Sequence, residues 1–451
     1  MSNRISKKVL GAVIATGLMS FCGVIVETAM NVTFPTLMRE FGVATNMVQW
    51  MTTLYLLVVA AMVPLSAMLK RRFKTRSLFL VAISFFILGV ALDAFAPSFG
   101  VLLLGRAVQG LGTGIALPLM FNIILEQVPP QKIGMMMGVG AMITGVAPAI
   151  GPTFGGLVAS SFSWRYIFYF LLPLLVFALI LGLVCIQQKN PPQAVGIDWF
   201  SVLLIVMTFC GLIYGISAGS LLVFAIGVVA LIAFVWRSLA IPEPIINLRL
   251  FANWHYSVIV VAFVCLQVAA LGLSFLLPNY IQLANGKTSL IAGLVVLPGG
   301  ALGAVAGPLA GRWFDRVGAK LPLRTGAIAA LVGVVVMWLA ASWLHDGLIV
   351  GLYACFMLGI GLSYGNLMTH GLNQLEEAMH TDGNAIFNTL QQFAAAVGTS
   401  VTAAIVAAGQ AGARSVAAGT IVGSSHALAL LAGLLVLEAI CVLVITSRKA
   451  A

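Results

Sequence analysis

The sequence predicts an all-α polytopic membrane protein, on three observations. Of its 451 residues, 61% are hydrophobic and 8% charged, where a soluble domain carries about 25% charged residues. The apolar residues fall into runs long enough to cross a bilayer as helices, which takes about 20 residues. The basic residues behind the net charge of +11 gather in short segments between those runs, a mark of topology and not of affinity for nucleic acid.

Breaking the chain at charges and at Pro, Gly and Asn clusters gives fourteen spans. In order they are 9–33, 46–69, 77–96, 99–125, 133–160, 164–187, 199–217, 220–239, 254–284, 288–313, 322–344, 347–373, 383–409 and 426–447. The first run follows Arg4, Lys7 and Lys8 as a signal peptide would. It is too long for one and lacks a small-residue cleavage site, so it counts as a span. With the N-terminus inside, cytoplasmic segments hold eighteen Lys and Arg residues and outer segments four, Arg39, Arg165, Lys287 and Arg414. That bias places both termini in the cytoplasm. The six cysteines all fall inside apolar runs without a CxxC pair, which reads as buried packing, neither disulfide nor metal site.

The stretch 64–80, PLSAMLKRRFKTRSLFL, is echoed by GPLAGRWFDRVGAKLPL (307–323), 244 residues apart when the two are aligned on the loop. Six spans with their turns need about 180 residues, so the surplus fits two inserted helices. The expected organisation is a six-helix bundle over 1–190, two inserted helices with linkers over 191–250, and a second six-helix bundle over 251–451. Paired halves around a cavity are a common transporter plan.

Two charged residues inside spans stand out. Glu27 is the one ionisable group of the first span, where a carboxylate is expensive unless partnered. It is either a functional acid facing the protein interior or a group solvated at the outer interface. Arg106 is the one base well away from the ends of a span. Its guanidinium stays charged and must face a carboxylate, carbonyls or water. No P-loop lysine pattern, paired metal-ligand spacing or nucleophile elbow appears. An enzyme is not expected, nor any cofactor or metal, and energy must come from an ion gradient.

Four segments together resemble one family. ETAMNVTFP (27–35) is similar to a first-helix D-x-T-I-V-N-V-A-L-P pattern, with Glu27 in place of Asp. The 64–80 loop and its echo resemble G-x-L-x-D-R-x-G-R-K. LLLGRAVQGLGTG (102–114) falls in the fourth span and GVAPAIGPTFGG (145–156) in the fifth. The chain thus resembles the major facilitator superfamily, in its fourteen-span drug:proton antiporter branch of QacA/EmrB-type multidrug exporters. The resemblance implies two six-helix bundles plus two inserted helices (14 TM) in a bacterial cytoplasmic membrane. It also implies efflux of amphipathic, cationic drug-like molecules in exchange for protons by a lipid-embedded monomer that binds no nucleic acid. An exporter of one metabolite, or a membrane sensor without flux, stays open on the same fold.

By that resemblance Arg106 belongs to proton handling together with Glu27; pumping with two protons per drug would need a second acid, and Asp93 or Glu438 is the candidate. Interfacial solvation of Asp93 and interior packing of Glu438 are the alternatives. Asn279, Gln282, Gln391 and Gln392 lie on spans the family uses to line its cavity. Trp50, Tyr55, Phe121, Met142 and Phe275 could supply a soft aromatic wall for a cation. Gly145, Gly151, Gly155 and Gly156 with Pro148 and Pro152 make the fifth span kinked and smooth-faced. Its Gly151/Gly155 pair suits close approach to a helix of the other half. In the family a loop acid pairs with a base and latches the cytoplasmic face. Arg71 replaces that acid in the first half, so a latch is expected around Gly311, Asp315, Arg316 and Gly318. Lys70–Arg76 is then a plain basic loop, and Glu126, Glu376, Glu377, His380 and Asp382 are solvated helix-end groups.

Overall fold

A computed structural model describes residues 5–31, 33–43, 45–48, 50–189, 191, 198–218, 220–242, 244–411 and 413–447. The described chain is helical, with no strand among the described residues. In a bilayer core a helix satisfies its own backbone polar groups, so such a sequence has little other choice. The helices run α1 (Lys7–Asn31), α2 (Phe34–Phe41), α3 (Thr45–Val48), α4 (Trp50–Arg72), α5 (Thr75–Ala94), α6 (Phe99–Gln127), α7 (Ile133–Ser161) and α8 (Tyr166–Cys185). There follow α9 (Trp199–Ala218), α10 (Leu221–Ala240), α11 (Trp254–Leu283), α12 (Ser289–Val317), α13 (Lys320–Leu339), α14 (Asp346–Leu372), α15 (His380–Ala411) and α16 (Val416–Ser447).

Eleven of the described helices are long and apolar enough to cross a membrane, and α4 and α9 carry shorter apolar stretches. Ends fall where the sequence supplies caps. Ser98, Asn253 and Thr288 each accept a backbone N–H of the following turn with the side-chain oxygen, a bond that satisfies an otherwise orphaned donor. Proline at 64, 118, 173, 278, 298 and 308 is accommodated inside helices. The short helix α2 was not expected. It occupies what reads as a plain loop, with Pro35 in its first turn and Gly42, at φ 64°, closing it in the left-handed conformation.

The chain divides into two compact units. One comprises Met1–Pro130, Gly151–Leu250 and Glu376–Gln392; the other comprises Gln131–Ile150, Phe251–Leu375 and Phe393–Ala451. In the first unit α6 packs against α1, α4 and α5, while α8 packs on α1 and α5. Tyr55, Val59, Val63 and Leu117 form a buried cluster between α4 and α6. In the second, α14 packs against α12, α13 and α11, and α16 against α11 and α13.

The pair α9–α10 is a hairpin with its own closure. Glycines bring the two backbones together: a Cβ on Gly211 would stand 2.4 Å from the Gly227 Cα. At the open end, Asp198 accepts from Arg237 Nε and Nη2 at 2.9 and 3.1 Å and from the Ser201 hydroxyl at 2.6 Å. The Arg237 hydrogen bonds hold the Asp198 carboxyl down to about 2. A lowered carboxylate pKa gives stabilisation that is present above the unfolded value and lost as pH falls through the folded one. The hairpin is therefore expected to stay closed from about pH 7 to about pH 5. Asp198→Asn should open it at both. Spin-label distances across the hairpin ends check this, and widening of the wild-type hairpin over that range would contradict it.

Candidate functional site

The candidate site grows from the turn of α1 that carries Glu27. On α7, Gly151 and Gly155 lie against that turn. A Cβ on Gly155 would stand 2.3 Å from the Ala29 carbonyl oxygen, and one on Gly151 would overlap Thr28 Oγ1. These glycines therefore seat α1 within the first unit. The sequence reading had aimed the pair at a helix of the other half, and this is a correction. The reason is that small faces pack wherever a backbone approaches closely, and α1 presents Ala29 there. Gly156 is half-buried. Gly145, Pro148 and Pro152 fall in α7 by their backbone, but their surroundings lie outside the described residues.

Glu27 is half-buried and within electrostatic reach of Arg106 and Tyr55. It points to the protein interior. Arg106, on α6, is fully buried. Its Nε donates to the Met51 carbonyl at 3.2 Å and its Nη1 donates to Gln109 Oε1 at 2.7 Å. The guanidinium carbon lies 4.1 Å from the centroid of the Tyr55 ring, within the range of a cation–π contact, which strengthens when desolvated. Gln109 Nε2 in turn donates to Asp93 Oδ2 at 2.7 Å. Tyr55 closes the far side: its hydroxyl donates to the Gly23 carbonyl at 2.9 Å and lies 3.0 Å from Thr113 Oγ1.

Five side chains on α1, α4, α5 and α6 are thus strung together around one fixed positive charge. Asp93 is fully buried, not solvated at an interface. Gly105 makes this possible, because a Cβ there would stand 1.9 Å from Asp93 Oδ1. Gln109 and Thr113 were missed in the sequence. The signal was their spacing, since residues three and seven places beyond Arg106 share its helix face.

The remaining candidates are placed elsewhere. Glu438 is fully buried in the second unit, in electrostatic reach of Cys265 and Cys441, with no hydrogen-bond partner for either carboxylate oxygen. Tyr55 serves the Arg106 network. Trp50 packs on Tyr214 of α9, with ring centroids 5.2 Å apart. Phe121 is fully buried in α6. Asn279 and Gln282 donate to carbonyls of their own helix at Phe275 and Pro278. Met142, Phe275, Asn279, Gln282, Gln391 and Gln392 are all half-buried.

The two repeated loops behave differently from expectation. In the second unit Asp315 accepts from the Gly134 and Met135 amides at 3.0 and 2.9 Å. It caps the start of α7, where the helix dipole favours a carboxylate, and pairs with no base among the described residues. Gly311 lies against the Gly134 carbonyl, and Gly318 ends α12 with φ 79°. Arg316 is exposed. In the first unit the basic loop is not merely solvated. Lys70 is buried and pairs with Glu126 at 2.9 Å, and Arg71 pairs with Asp382 at 3.6 Å. Below them Asn384 Nδ2 donates to Asn122 Oδ1 at 2.8 Å and to the Pro118 carbonyl at 3.2 Å. A cavity of about 400 Å³ opens here, lined by Lys70, Arg71, Glu126, Lys189 and Asp382 among others. Arg71 stands where the 244-residue repeat puts Asp315. One copy holds a helix start with a carboxylate on the loop; the other holds one with the charges exchanged.

Residues 16–399 match the family described as Major Facilitator Superfamily. The chain belongs to that superfamily. It is 40% identical over 418 residues to the "Lincomycin resistance protein LmrB" of Bacillus subtilis (strain 168), covering 89% of this chain and 86% of that one. It is 28% identical over 392 residues to the "Multidrug resistance protein B homolog" of Mycobacterium tuberculosis (strain ATCC 25618 / H37Rv), covering 84% and 73%. The human organic anion transporter MFSD10 (TETRAN) shares the fold, with TM-score 0.67 at 15% identity over 96% of this chain and 99% of that one. The protein is a membrane transporter of the major facilitator fold.

The exchanged pair yields a test. Arg71→Asp and Asp382→Arg should each lower transport several-fold, and together restore most of it. The double-mutant cycle should show a coupling of about 1 kcal/mol in thermal unfolding of the purified protein. Strict additivity would show that the pair holds nothing.

Proposed function

We propose that this protein is a secondary drug exporter of the fourteen-span branch, exchanging protons for amphipathic cationic compounds across a bacterial cytoplasmic membrane. Both termini face the cytoplasm and the working unit is a monomer. The observation that carries this reading is the acid of the first span, Glu27, within electrostatic reach of a fully buried guanidinium inside the first unit. The names of the relatives, lincomycin and multidrug resistance proteins, support a drug substrate, and lincomycin is the first compound to try.

In this reading an external proton neutralises Glu27 and displaces the drug. The neutral carboxyl accompanies the return inward, and cytoplasmic drug expels the proton. Each ligand drives the cycle only through different affinities for the two states. Arg106 supplies the contrast. Beside a fixed positive charge the ionised acid is compensated, whereas its protonation frees that charge for another acceptor. The half-buried amides Asn279, Gln282, Gln391 and Gln392, with Met142 and Phe275, are the proposed drug contacts. The Asp315 cap and the Arg71–Asp382 pair hold the starts of α7 and α15 in one state of the cycle.

The driving force follows from charge. A proton moving through 100 mV is worth about 2.3 kcal/mol and one pH unit about 1.4 kcal/mol. Exchange of one proton for one monovalent cation moves no net charge, so the pH difference alone drives it.

Glu27→Gln should abolish proton-driven uptake of lincomycin and ethidium into inverted vesicles without lowering protein level. Arg106→Ala should reduce exchange at least tenfold, an effect of about 1.4 kcal/mol or more. Undiminished active uptake in Glu27→Gln would end the assignment.

A further inference from the structure

Resting on the transport reading above, we propose that Asp93 is a second proton-carrying acid, alternating with Glu27 for the single charge of Arg106, and that Gln109 is the residue that positions the two. Three observations lead there. The first is a count. Among the described residues around Arg106, two carboxyls flank one guanidinium, and all three groups lie inside the first unit. One cation compensates one carboxylate. A second buried carboxylate without a cation is far too costly to keep ionised. The other acid therefore holds a proton, and the cluster as a whole is a store for one.

The second observation is where bonds are left unmade. Arg106 commits Nε to the Met51 carbonyl and Nη1 to Gln109. Among the described residues its Nη2 is buried without a hydrogen-bond partner, and so is Asp93 Oδ1. Buried polar atoms are rarely left in that state, and each one asks for an explanation. A guanidinium edge that turns between two acceptors explains the first. The carboxyl oxygen that takes and gives the proton explains the second, and Gly105 keeps space for it.

The third is the amide between them. No direct Asp93–Arg106 ion pair occurs among the described residues; Gln109 stands in between. An amide is polar in a fixed sense: its oxygen accepts only, and its nitrogen donates only. With Nη1 on its oxygen and Asp93 Oδ2 under its nitrogen, both at 2.7 Å, Gln109 transmits which acid holds the charge. The titratable and charged groups that face the cluster are Tyr55 from α4, Cys22 and Glu27 from α1, and Arg106 from α6. On the α8 side, the Tyr169 hydroxyl donates to the Ala94 carbonyl and Arg165 to the Ala96 carbonyl beyond Asp93, and Arg165 also pairs with Glu40 at 2.7 Å.

Infrared difference spectra of the purified full-length protein, titrated with acid and base in the protonated-carboxyl region, test this without needing a substrate. Beside the band of the buried Glu438, the wild type should show one titrating carboxyl band that is lost in Asp93→Asn and another that is lost in Glu27→Gln. Because the acids share one charge, their titrations are coupled. Glu27→Gln should move the midpoint of the remaining band by about one pH unit or more. Gln109→Leu should keep both bands and remove most of the coupling. These two variants keep the test decisive if Asp93→Asn does not fold. The absence of any titrating band that Asp93→Asn removes, or an Asp93 band indifferent to Glu27→Gln, overturns the proposal. Failure here leaves the Glu27 band and its transport effect intact. Failure of the transport reading shows instead as wild-type drug uptake by Glu27→Gln.

Discussion

A guanidinium that cannot lose its proton is buried among helices, and the rest of the first unit is arranged around that fact. Arg106 is compensated by a carbonyl, an amide oxygen, the face of Tyr55 and the field of two acids. Breaking one partner of such a buried set costs about 3–5 kcal/mol, so the network ties α1, α4, α5 and α6 to one another. The same burial that makes it structural makes it sensitive to protonation. Adding or removing one proton changes the charge of the cluster where little solvent screens the change.

Close helix approach is what allows this density of polar groups. Gly105 leaves space for the Asp93 carboxyl, and Gly151 and Gly155 let α7 seat the turn of α1 that bears Glu27. The glycine-rich stretches of the fourth and fifth spans therefore act on the site, the fourth also supplying Arg106 and Gln109. At the loop end of the first unit, ion pairs and an amide ladder hold the first turns of α15. In the second unit a carboxylate on helix amides does the same for α7. The repeat has kept a fastening at corresponding places and changed its chemistry.

Much of this was legible in the sequence. Apolar runs, a positive-inside bias and the 244-residue echo predict the helical membrane architecture. The rarity of charge inside spans singles out Glu27 and Arg106. What was not legible has one physical cause: a sequence gives the face of a helix but not which neighbour that face meets. Asp93 reads as interfacial because it is near a span end, yet α6 covers it. Asp382 and Glu126 read as solvated end groups, yet Arg71 and Lys70 reach them. Tyr55 reads as a drug contact, and its ring lies instead beneath the guanidinium. Gln109 was recoverable, since its spacing from Arg106 puts both on one face.

The central claim is that drug and proton compete through Glu27. The most direct measurement is the pH of a weakly buffered solution of the purified protein as lincomycin or ethidium is added. The account predicts stoichiometric proton release by the wild type and none from Glu27 in the Glu27→Gln protein. Saturable drug binding with no change in pH would contradict it.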